Sequence, residues 1–283
     1  MSYKKVEKIL ICIYCKSNDL INESNKINCN HCGKYYLVDS KGRLIVQQIK
    51  LKERTELTYK LKNYLRNNQK VDNLIYFLFS PVLVNTRQRK KLFKKLSKSD
   101  IIINIGGGST KLANNVINVD IKPYVNVDIV SDCNNLPFAD SSVDGIISEV
   151  VLEHIQEPHK AVIEMYRVLK PGGYIYAEIP FIQGYHESPG DYQRYTIEGL
   201  EELFKDFKKV KIGVSIGPSS ALAWILRDYL AILFSFNSTK IYNVLTLLFT
   251  PLTWPIKLLD FILVYNKNAH NISSLLYFFG KKE

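Results

Sequence analysis

Before its first cysteine the sequence lacks an apolar segment long enough for a signal peptide. The start "MSYKKVEKILICIYC" is interrupted by lysine and glutamate, whereas a secretory signal needs an apolar core of about 7 to 15 residues. We therefore expect a protein that is made and kept in a reducing cytosol, where structural disulfides are rare.

Acidic residues are scarce in the first third of the chain. Residues 1–99 carry a net charge of +15, residues 100–217 carry −7 and residues 218–283 carry +3, which together give the +11 of the whole chain. A basic segment of this kind fits a solvated surface, or a nucleic acid or anionic membrane as partner. Charge alone leaves these interpretations open.

The chain also lacks the spaced glycines of dinucleotide-binding turns and the Gly-Lys-Ser/Thr of a phosphate-binding loop. Its glycines stand together as Gly106-Gly107-Gly108, after the apolar stretch "IIINI". Glycine at the end of a strand lets a ligand approach the main chain closely. Asp120 and Asp132 end the next two apolar stretches and suit a ribose diol and an adenine amine. A ribose and an adenine without a phosphate site indicate S-adenosylmethionine.

Four of the five cysteines form two Cys-x2-Cys pairs, separated by thirteen residues: Cys12, Cys15, Cys29 and Cys32. Four thiolates at this spacing are typical of tetrahedral Zn²⁺, and an all-sulfur set leaves no position for a substrate water. We therefore expect a structural zinc ribbon over residues 1–49. The alternative of two disulfides is disfavoured in a reducing compartment. The stretch "KYYLVDSKGRLIV" predicts a hairpin that turns at residues 39–42.

Residues 50–99 are predicted to form a basic helical linker. Its last part, residues 86–98, reads as a helix that turns Leu92, Phe93 and Leu96 toward the following domain. From residue 100 onward, strand and helix patterns alternate, which predicts a parallel sheet covered on both faces. The tail segments "KKVKIGVSIGP" and "ISSLLYFFGKK" predict two further strands.

Four blocks occur in a fixed order: "INIGGGST", "NVDI", "SDCNNLPFADSSVDGIISEVVLEHI" and "AVIEMYRVLKPGGYIYAEIPF". In this order and spacing, residues 100–217 resemble class I S-adenosylmethionine-dependent methyltransferases of the broad small-molecule type (type 11). The resemblance implies an α/β fold with a Rossmann-like sheet, mostly parallel with an antiparallel last strand, for residues 100–283. The zinc ribbon precedes this domain, and an apolar helical insertion precedes its last strand.

The resemblance also implies S-adenosylmethionine as cofactor and assigns its contacts to the ends of the strands. The implied cofactor-binding residues are Asn104, Gly106, Gly108, Asp120, Ile121, Asp132, Cys133 and Glu149. Glu149 would lie near the sulfonium. The family usually has an acidic residue where Asn104 stands, so the partner of the cofactor's amino group is open. Taken singly, Asp120 and Asp132 also fit turn or helix-cap positions.

The segment "PFIQGYHESPGDYQRYT" resembles the "HxxPxDYxRYT" block of methyltransferases of surface-polysaccharide biosynthesis. It follows the fifth strand and must overhang the pocket. Its polar and aromatic side chains suit a hydroxylated acceptor, and the predicted substrate contacts are Asp191, Tyr192, Arg194 and Tyr195. An Asp191–Arg194 ion pair that only holds the loop closed is the open alternative.

His186 is the predicted general base, because a histidine can accept a hydroxyl proton near neutral pH. Glu149 and His154 are the further catalytic candidates. For His154, which follows the fourth strand, a structural role is an equal alternative. Methyl transfer itself mainly requires that the acceptor atom, the methyl carbon and the departing sulfur are aligned in a water-poor pocket.

Residues 219–268 are too apolar for exposed helices, yet charged residues and prolines interrupt them, so that neither helix is a clean bilayer span. Two arrangements are open. The first is a helical hairpin over the active site that lies in a membrane interface, with Trp224 and Trp254 at headgroup depth. The second is a lid buried against "LIYFLFSPVL" of the front third.

Two functions follow from these patterns. The first is O-methylation of a small molecule or glycan, such as a lipid-linked saccharide, at the cytoplasmic membrane face, with peripheral contact through residues 219–268. The second is base methylation of rRNA or tRNA, because a zinc ribbon before a class I domain is similar to large-subunit rRNA guanine methyltransferases with an N-terminal zinc module. The apolar tail favours the first, and nucleic acid is the less favoured partner.

Overall fold

The computed structural model describes residues 3–23, 25–47, 77 and 80–283. Its strands form one sheet in the order β1-β2-β3-β4-β7-β6-β5-β8-β9-β11-β10. The strands are β1 (Leu20–Glu23), β2 (Lys26–Cys29), β3 (Tyr35–Val38), β4 (Leu44–Ile45), β5 (Ile102–Ile105), β6 (Val116–Asp120), β7 (Ile129–Val130), β8 (Val143–Glu149), β9 (Leu169–Pro180), β10 (Lys208–Ile216) and β11 (Leu275–Lys281). The helices are α1 (Arg87–Phe93), α2 (Pro158–Val168), α3 (Ile197–Leu203), α4 (Pro218–Phe234), α5 (Thr239–Thr253) and α6 (Asp260–Leu263).

The strands from β5 onward form the predicted Rossmann-like sheet. β5 pairs in parallel with β6 and β8, β6 with β7, and β8 with β9. β11 runs antiparallel to both β9 and β10, which confirms the reversed last strand. Every residue of β5 and β6 is buried, as expected for the inner strands of a parallel sheet. The carboxyl ends of the parallel strands therefore meet at one edge, where the loops can build a site.

The N-terminal ribbon continues this sheet. β4 pairs in parallel with β7, through Leu44 with Ile129 and Ile45 with Val130. The predicted turn at 39–42 is present: the Asp39 amide donates to the Arg43 carbonyl at 3.0 Å, and Gly42 has φ 76°. Apolar side chains from the ribbon and from the large domain share one core cluster. The ribbon is thus packed into the body of the protein.

The predicted alternation of strand and helix is wrong between β5 and β6, between β6 and β7 and between β7 and β8. Residues 106–115, 121–128 and 131–142 contain no helix. Asparagine amides hold the first two of these connections instead. Asn118 Nδ2 donates to the carbonyls of Thr110 and Asn126, both at 2.8 Å, and Asn126 Nδ2 donates to the Ser109 carbonyl at 2.6 Å.

Helix α1 covers the sheet face that these absent helices leave open. Leu92 is fully buried, and Phe93 and Leu96 pack in the same cluster, which confirms the predicted inward face. The helix ends at Phe93, earlier than predicted, because the chain turns into β5 with the Ser97 amide bonded to Asp100 Oδ2 at 2.8 Å. The linker prediction for residues 50–76, 78 and 79 lies outside the described residues.

The apolar insertion forms α4, α5 and a following 3₁₀ segment, with α4 packed against α5. The buried Asp260 carboxylate accepts the amides of Ser219 and Ser220 at 2.9 and 2.8 Å, which joins the end of the insertion to its beginning. Residues Thr239–Leu263 are long and apolar enough to cross a membrane by length and composition alone. Of the 18-residue window within them that meets this criterion, 22% is buried.

Candidate functional site

The glycine bend lies at the carboxyl end of β5. Gly106 and Gly108 have φ angles of 68° and 53°, a region that glycine adopts readily. A Cβ added at Gly106 would lie 2.3 Å from Val151 Cγ2, whereas one added at Gly108 would have nothing within 4 Å. The bend is therefore tight against the turn that follows β8 and open on the side of Gly108.

Asp120 ends β6 directly beside this bend. Its Oδ2 accepts the Gly108 amide at 2.9 Å and its Oδ1 accepts the Lys122 amide at 2.8 Å. Burial raises the pKa of Asp120, and the two amides oppose that rise. Each carboxylate oxygen keeps a second lone pair, so the group can still accept from a diol. The half-buried Ile121 follows it.

Asn104 lies beneath the bend. Its Nδ2 donates to Asn118 Oδ1 at 3.0 Å, and a Cβ added at Gly107 would lie 2.7 Å from the same nitrogen. Asn104 and Asn118 are register partners on β5 and β6. The amide pair thus supports the loop from below. Sequence reasoning missed Asn118, for which the matching position on the next strand was the available signal.

Asp132 and Cys133 follow β7. Asp132 Oδ1 accepts from the main-chain and side-chain nitrogens of Asn134 at 2.9 and 3.0 Å. Asn134 Oδ1 is buried without a partner. Burial, followed by the charge of Asp132, raises the pKa of Cys133 to about 12, so its thiol stays neutral. An orphaned acceptor beside a carboxylate suits an exocyclic amine, and with Asp120 and the open side of Gly108 these residues fit S-adenosylmethionine.

Glu149 ends β8 and pairs with Arg89 of α1, whose Nη1 donates to Glu149 Oε2. Burial raises the pKa of Glu149, and Arg89 opposes that rise. Its register partner on β9, Glu178, is buried and accepts from the hydroxyls of Tyr176 and Ser215. Sequence reasoning missed Arg89, because nothing in the basic helix indicates which lysine or arginine reaches the strand ends.

Burial and the charge of Glu149 raise the pKa of Glu178 to about 8. Tyr176, whose hydroxyl donates to Glu178, has a pKa well above its usual value, first because of burial and then because of the Glu178 charge. Arg89 is the cation that faces this acidic pair. The arrangement places a fully buried acid one strand away from Glu149.

Glu153, His154 and His186 form a second cluster just past the end of β8. Glu153 Oε1 lies 3.7 Å from His154 Nε2 and 3.6 Å from His186 Nε2. The Glu153 side chain is fully buried, and neither of its oxygens nor His186 Nε2 has a hydrogen-bond partner. Burial lowers the pKa of His186. Glu153 and the Gly184 carbonyl raise it by more than burial lowers it, so the pKa lies above its usual value. Sequence reasoning did not assign a role to Glu153.

The loop over this cluster is held by Asp191 and Arg194. Arg194 contacts both carboxylate oxygens, with Nη2 to Oδ2 at 2.6 Å, and the Asp191 side chain is 1% exposed. Asp191 Oδ2 also accepts the His186 amide at 2.8 Å. Burial raises the pKa of Asp191, but Arg194 lowers it below its usual value. These contacts favour the loop-closing role of the pair.

The two tyrosines of the loop differ in exposure. The Tyr192 residue is 51% exposed, and its amide donates to the Glu153 carbonyl at 2.8 Å. Tyr195 is half-buried, with its hydroxyl donating to Gln193 Oε1 at 2.6 Å. Trp224 of α4 lies 5.5 Å from the His186 ring, centroid to centroid. Tyr192 is therefore the more available of the two to an acceptor, and Trp224 borders the site.

The four cysteine sulfurs lie within 4.8 Å of one another. The Cys12–Cys32 and Cys15–Cys29 sulfur distances are both 3.6 Å. Residues 16 and 33, each directly after a Cys-x2-Cys pair, have φ angles of 60° and 70°, and their amides bond back to the carbonyls of Cys12 and Cys29. Two matching turns with four convergent sulfurs fit a tetrahedral metal ion.

Part of the chain resembles known methyltransferases. Residues 104–177 match the model of a methyltransferase domain. Demethylmenaquinone methyltransferases of Renibacterium salmoninarum and Paenarthrobacter aurescens are 49% and 51% identical over 45 residues, which is 16% of this chain and 19% and 18% of those proteins. The chain thus matches less than a fifth of the length of these curated relatives.

Among solved structures, phosphoethanolamine N-methyltransferase 2 of Haemonchus contortus, in complex with S-adenosyl-L-methionine, is 17% identical with a TM-score of 0.46, covering 78% of this chain and 59% of that one. A SAM-dependent methyltransferase of Thermotoga maritima is 14% identical with a TM-score of 0.44, covering 80% and 100%. The family match at residues 104–177 includes the glycine bend, Asp120, Asp132 and Glu149.

Proposed function

We propose that the protein is an S-adenosylmethionine-dependent methyltransferase whose acceptor is a hydroxyl group of a small molecule or glycan. The observation that carries this proposal is the position of the matched methyltransferase segment. Its glycine bend and its two aspartates lie at the same sheet edge as the histidine-bearing loop. Both halves of a transfer site, one for the donor and one for the acceptor, therefore meet at one edge.

The donor half consists of main chain and carboxylates. S-adenosylmethionine, when bound, supplies a methyl group that is already activated by its sulfonium. Asp120 would hold the ribose with its free lone pairs, while the amides of Gly108 and Lys122 keep that carboxylate in place. Asp132 and the unpaired Asn134 Oδ1 would receive the adenine amine. The open side of Gly108 leaves room for the methionine end.

The acceptor half is the loop that closes over Glu153 and His186. Tyr192 is 51% exposed, and its aromatic ring suits contact with a sugar. His186 would take the proton of the acceptor hydroxyl at Nε2, since its Nδ1 already bonds the Gly184 carbonyl at 2.9 Å. Glu153 would stabilise the resulting imidazolium. The Asp191–Arg194 pair would keep the loop closed and exclude water.

The ribbon has a structural part in this proposal. Four convergent thiolates would bind Zn²⁺ with no open coordination position. Because the ribbon shares the core of the large domain, the ion would stabilise the strands next to the cofactor edge rather than take part in the transfer.

A membrane surface is the proposed setting. Helix α4 exposes Leu222, Ile225, Tyr229, Ile232 and Leu233, and α5 exposes Ile241, Val244, Leu247, Leu248 and Leu252. On each helix these positions form one stripe, and exposed apolar stripes of this extent mark contact surfaces. The net charge of +3 over residues 218–283 suits an anionic lipid surface. We propose peripheral contact at the inner face of the cell membrane.

The test uses methyl-labelled donor and fractionated cell extract. Label recovered in the lipid, polysaccharide or small-molecule fraction supports the proposal. Label recovered in RNA alone would support the nucleic-acid function instead, for which the net charge of +15 in residues 1–99 would supply phosphate contacts. A His186→Gln variant controls for label transfer by contaminating enzymes, because its loss of the predicted base should remove most of the signal.

A further inference from the structure

The Glu153–His154–His186 cluster has a feature that the transfer of a methyl group does not explain. His154 Nδ1 lies 2.6 Å from the Gly190 carbonyl and His186 Nδ1 lies 2.9 Å from the Gly184 carbonyl. A carbonyl only accepts, so each Nδ1 carries the proton and each neutral ring presents an Nε2 lone pair. Both lone pairs face Glu153 Oε1, which is also an acceptor.

Three acceptors that face one another repel unless a proton or a metal cation lies between them. The two nitrogen–oxygen distances of 3.7 and 3.6 Å exceed the length of a normal hydrogen bond. They are close to the spacing of about 3.3 to 3.5 Å between two ligands that each bind a small ion at about 2.0 to 2.1 Å. One ligand atom from each of the three residues lies within 4.8 Å of the other two.

The carboxylate gives a second, independent indication. The Glu153 side chain is fully buried, and both of its oxygens lack a hydrogen-bond partner, as does His186 Nε2. A buried carboxylate without a partner is costly, whereas a carboxylate that binds a metal ion is compensated. Two of the unpaired atoms, Glu153 Oε1 and His186 Nε2, lie 3.6 Å apart and face each other within the cluster.

We propose that Glu153, His154 and His186 bind a divalent transition-metal ion, separate from the cysteine site. Two imidazoles and one carboxylate are a ligand set for Zn²⁺, Fe²⁺ or Co²⁺, whereas Mg²⁺ and Ca²⁺ prefer oxygen ligands alone. The hydrogen bonds from each Nδ1 to a backbone carbonyl are the outer contacts that metal-binding histidines usually make. They hold both rings with Nε2 toward the ion.

The surrounding chain orients the three ligands. The Tyr192 amide donates to the Glu153 carbonyl at 2.8 Å, and Asp191 accepts the His186 amide at 2.8 Å, so the turn after β8 and the overhanging loop are joined. The side chains of His154 and His186 are 12% and 23% exposed, while that of Glu153 is not exposed. The ion would thus be reached from the side of the histidines, and three protein ligands would leave a further coordination position for a substrate oxygen.

This inference rests on the proposed function for its chemical consequence. A hydroxyl oxygen at an open position of a divalent ion is more acidic than a free hydroxyl. His186 would then serve as a ligand in place of a base, and the acceptor proton would leave to solvent water. Without an ion, His186 Nε2 stays available as the base, so methyl transfer does not depend on this inference.

Metal content measured on the full chain tests the proposal, with Co²⁺ as the spectroscopic probe. Thiolate-bound Co²⁺ has intense near-ultraviolet charge-transfer bands, whereas Co²⁺ on imidazole and carboxylate has only weaker visible bands. We expect the wild type to bind two equivalents of Co²⁺, one on the cysteine thiolates and one on imidazole and carboxylate. Glu153→Gln and His186→Ala should lose the equivalent without charge-transfer bands and keep the other.

His159→Ala is the matched control, because His159 lies exposed on α2, outside the cluster. It should retain both equivalents. Retained thiolate bands and S-adenosylhomocysteine binding show that a variant is folded. A single, thiolate-bound equivalent in the wild type would overturn the proposal, and so would a second equivalent that survives in both cluster variants. Failure of the label transfer alone, with two ions bound, would instead refute the proposed function.

Discussion

Val151 packs directly over Gly106, at the distance where a methyl group on residue 106 would overlap its side chain. This contact joins the glycine bend after β5 to the turn after β8, which carries Glu153 and His154 two and three residues later. The contact therefore joins the two strand ends that carry the proposed donor and acceptor residues.

Gly106→Ala should disrupt this contact. Alanine at φ 68° costs about 1 to 2 kcal/mol, and displacement of Val151 adds a steric cost. Gly172→Ala is the matched control, because its φ of 85° is also positive but its nearest neighbour lies 4.0 Å away. We expect both variants to lower the thermal midpoint and only the first to abolish S-adenosylhomocysteine binding. Equal binding by the two variants would contradict the role of the contact.

Glu178 should make the stability depend on pH. Its pKa rises from 4.5 in the unfolded chain to about 8 in the folded protein. Between these two pH values the Glu178 carboxyl is therefore protonated in the folded state and ionised in the unfolded state. The stabilisation is complete below pH 4.5 and is lost as the pH rises through about 8. Glu178→Gln should remove this part of the dependence of the unfolding free energy on pH. Chemical unfolding measured between pH 4.5 and about 8 would show the change.

Glu202→Gln is the control for Glu178, since Glu202 is exposed and Lys205 lowers its pKa. This variant should keep the slope of the wild type. A slope that is the same in all three proteins would show that Glu178 titrates normally.

The cysteine site should contribute to the stability of the whole protein. Cys29 is buried in the core that the ribbon shares with the large sheet. We expect Cys29→Ser to lose one equivalent of the zinc found by elemental analysis, the one bound by the cysteines, and to lower the thermal midpoint of unfolding. Cys133→Ser should keep the zinc, because Cys133 lies outside the cluster. Full zinc content in Cys29→Ser would refute the predicted ligand set.

The apolar stripes should bind lipid vesicles. Leu248→Glu places a charge at a position that is 63% exposed on α5, so it should prevent flotation with anionic vesicles and leave the thermal midpoint nearly unchanged. Thr239→Glu adds the same charge to an exposed position of the same helix, on the face opposite the stripe, and should still float. If the wild type itself stays with the soluble fraction, the membrane setting is wrong.

The parts of the fold that depend on local pattern could be predicted from the sequence. Continuous apolar runs gave the inner strands, and the acidic residues after them, Asp120 and Asp132, indicated the edge at which the parallel strands end. The antiparallel last strand followed from the resemblance to methyltransferases. The absence of helices in residues 106–115 and 121–128 could not be predicted in this way, because asparagine side chains replace helical hydrogen bonds there.

Contacts between residues distant in the sequence account for the other differences. Arg89 reaches Glu149 across sixty positions, and no periodicity encodes that pairing. β4 joins the edge of β7 through backbone hydrogen bonds, and no sequence pattern specifies which edge a short strand will pair with. Glu153 received no role because its importance comes from being buried without a partner, which only the folded structure reveals.

Calorimetric titration of the purified chain with S-adenosylhomocysteine tests the central claim most directly. We predict saturable binding of one equivalent to the wild type. In Asp120→Asn, binding should weaken by about 10- to 100-fold, as expected when hydrogen bonds to a charged group worth about 1.5 to 3 kcal/mol are lost. No heat of binding to a folded wild-type chain, or equal affinity in Asp120→Asn, would contradict the assignment of this sheet edge to the methyl donor.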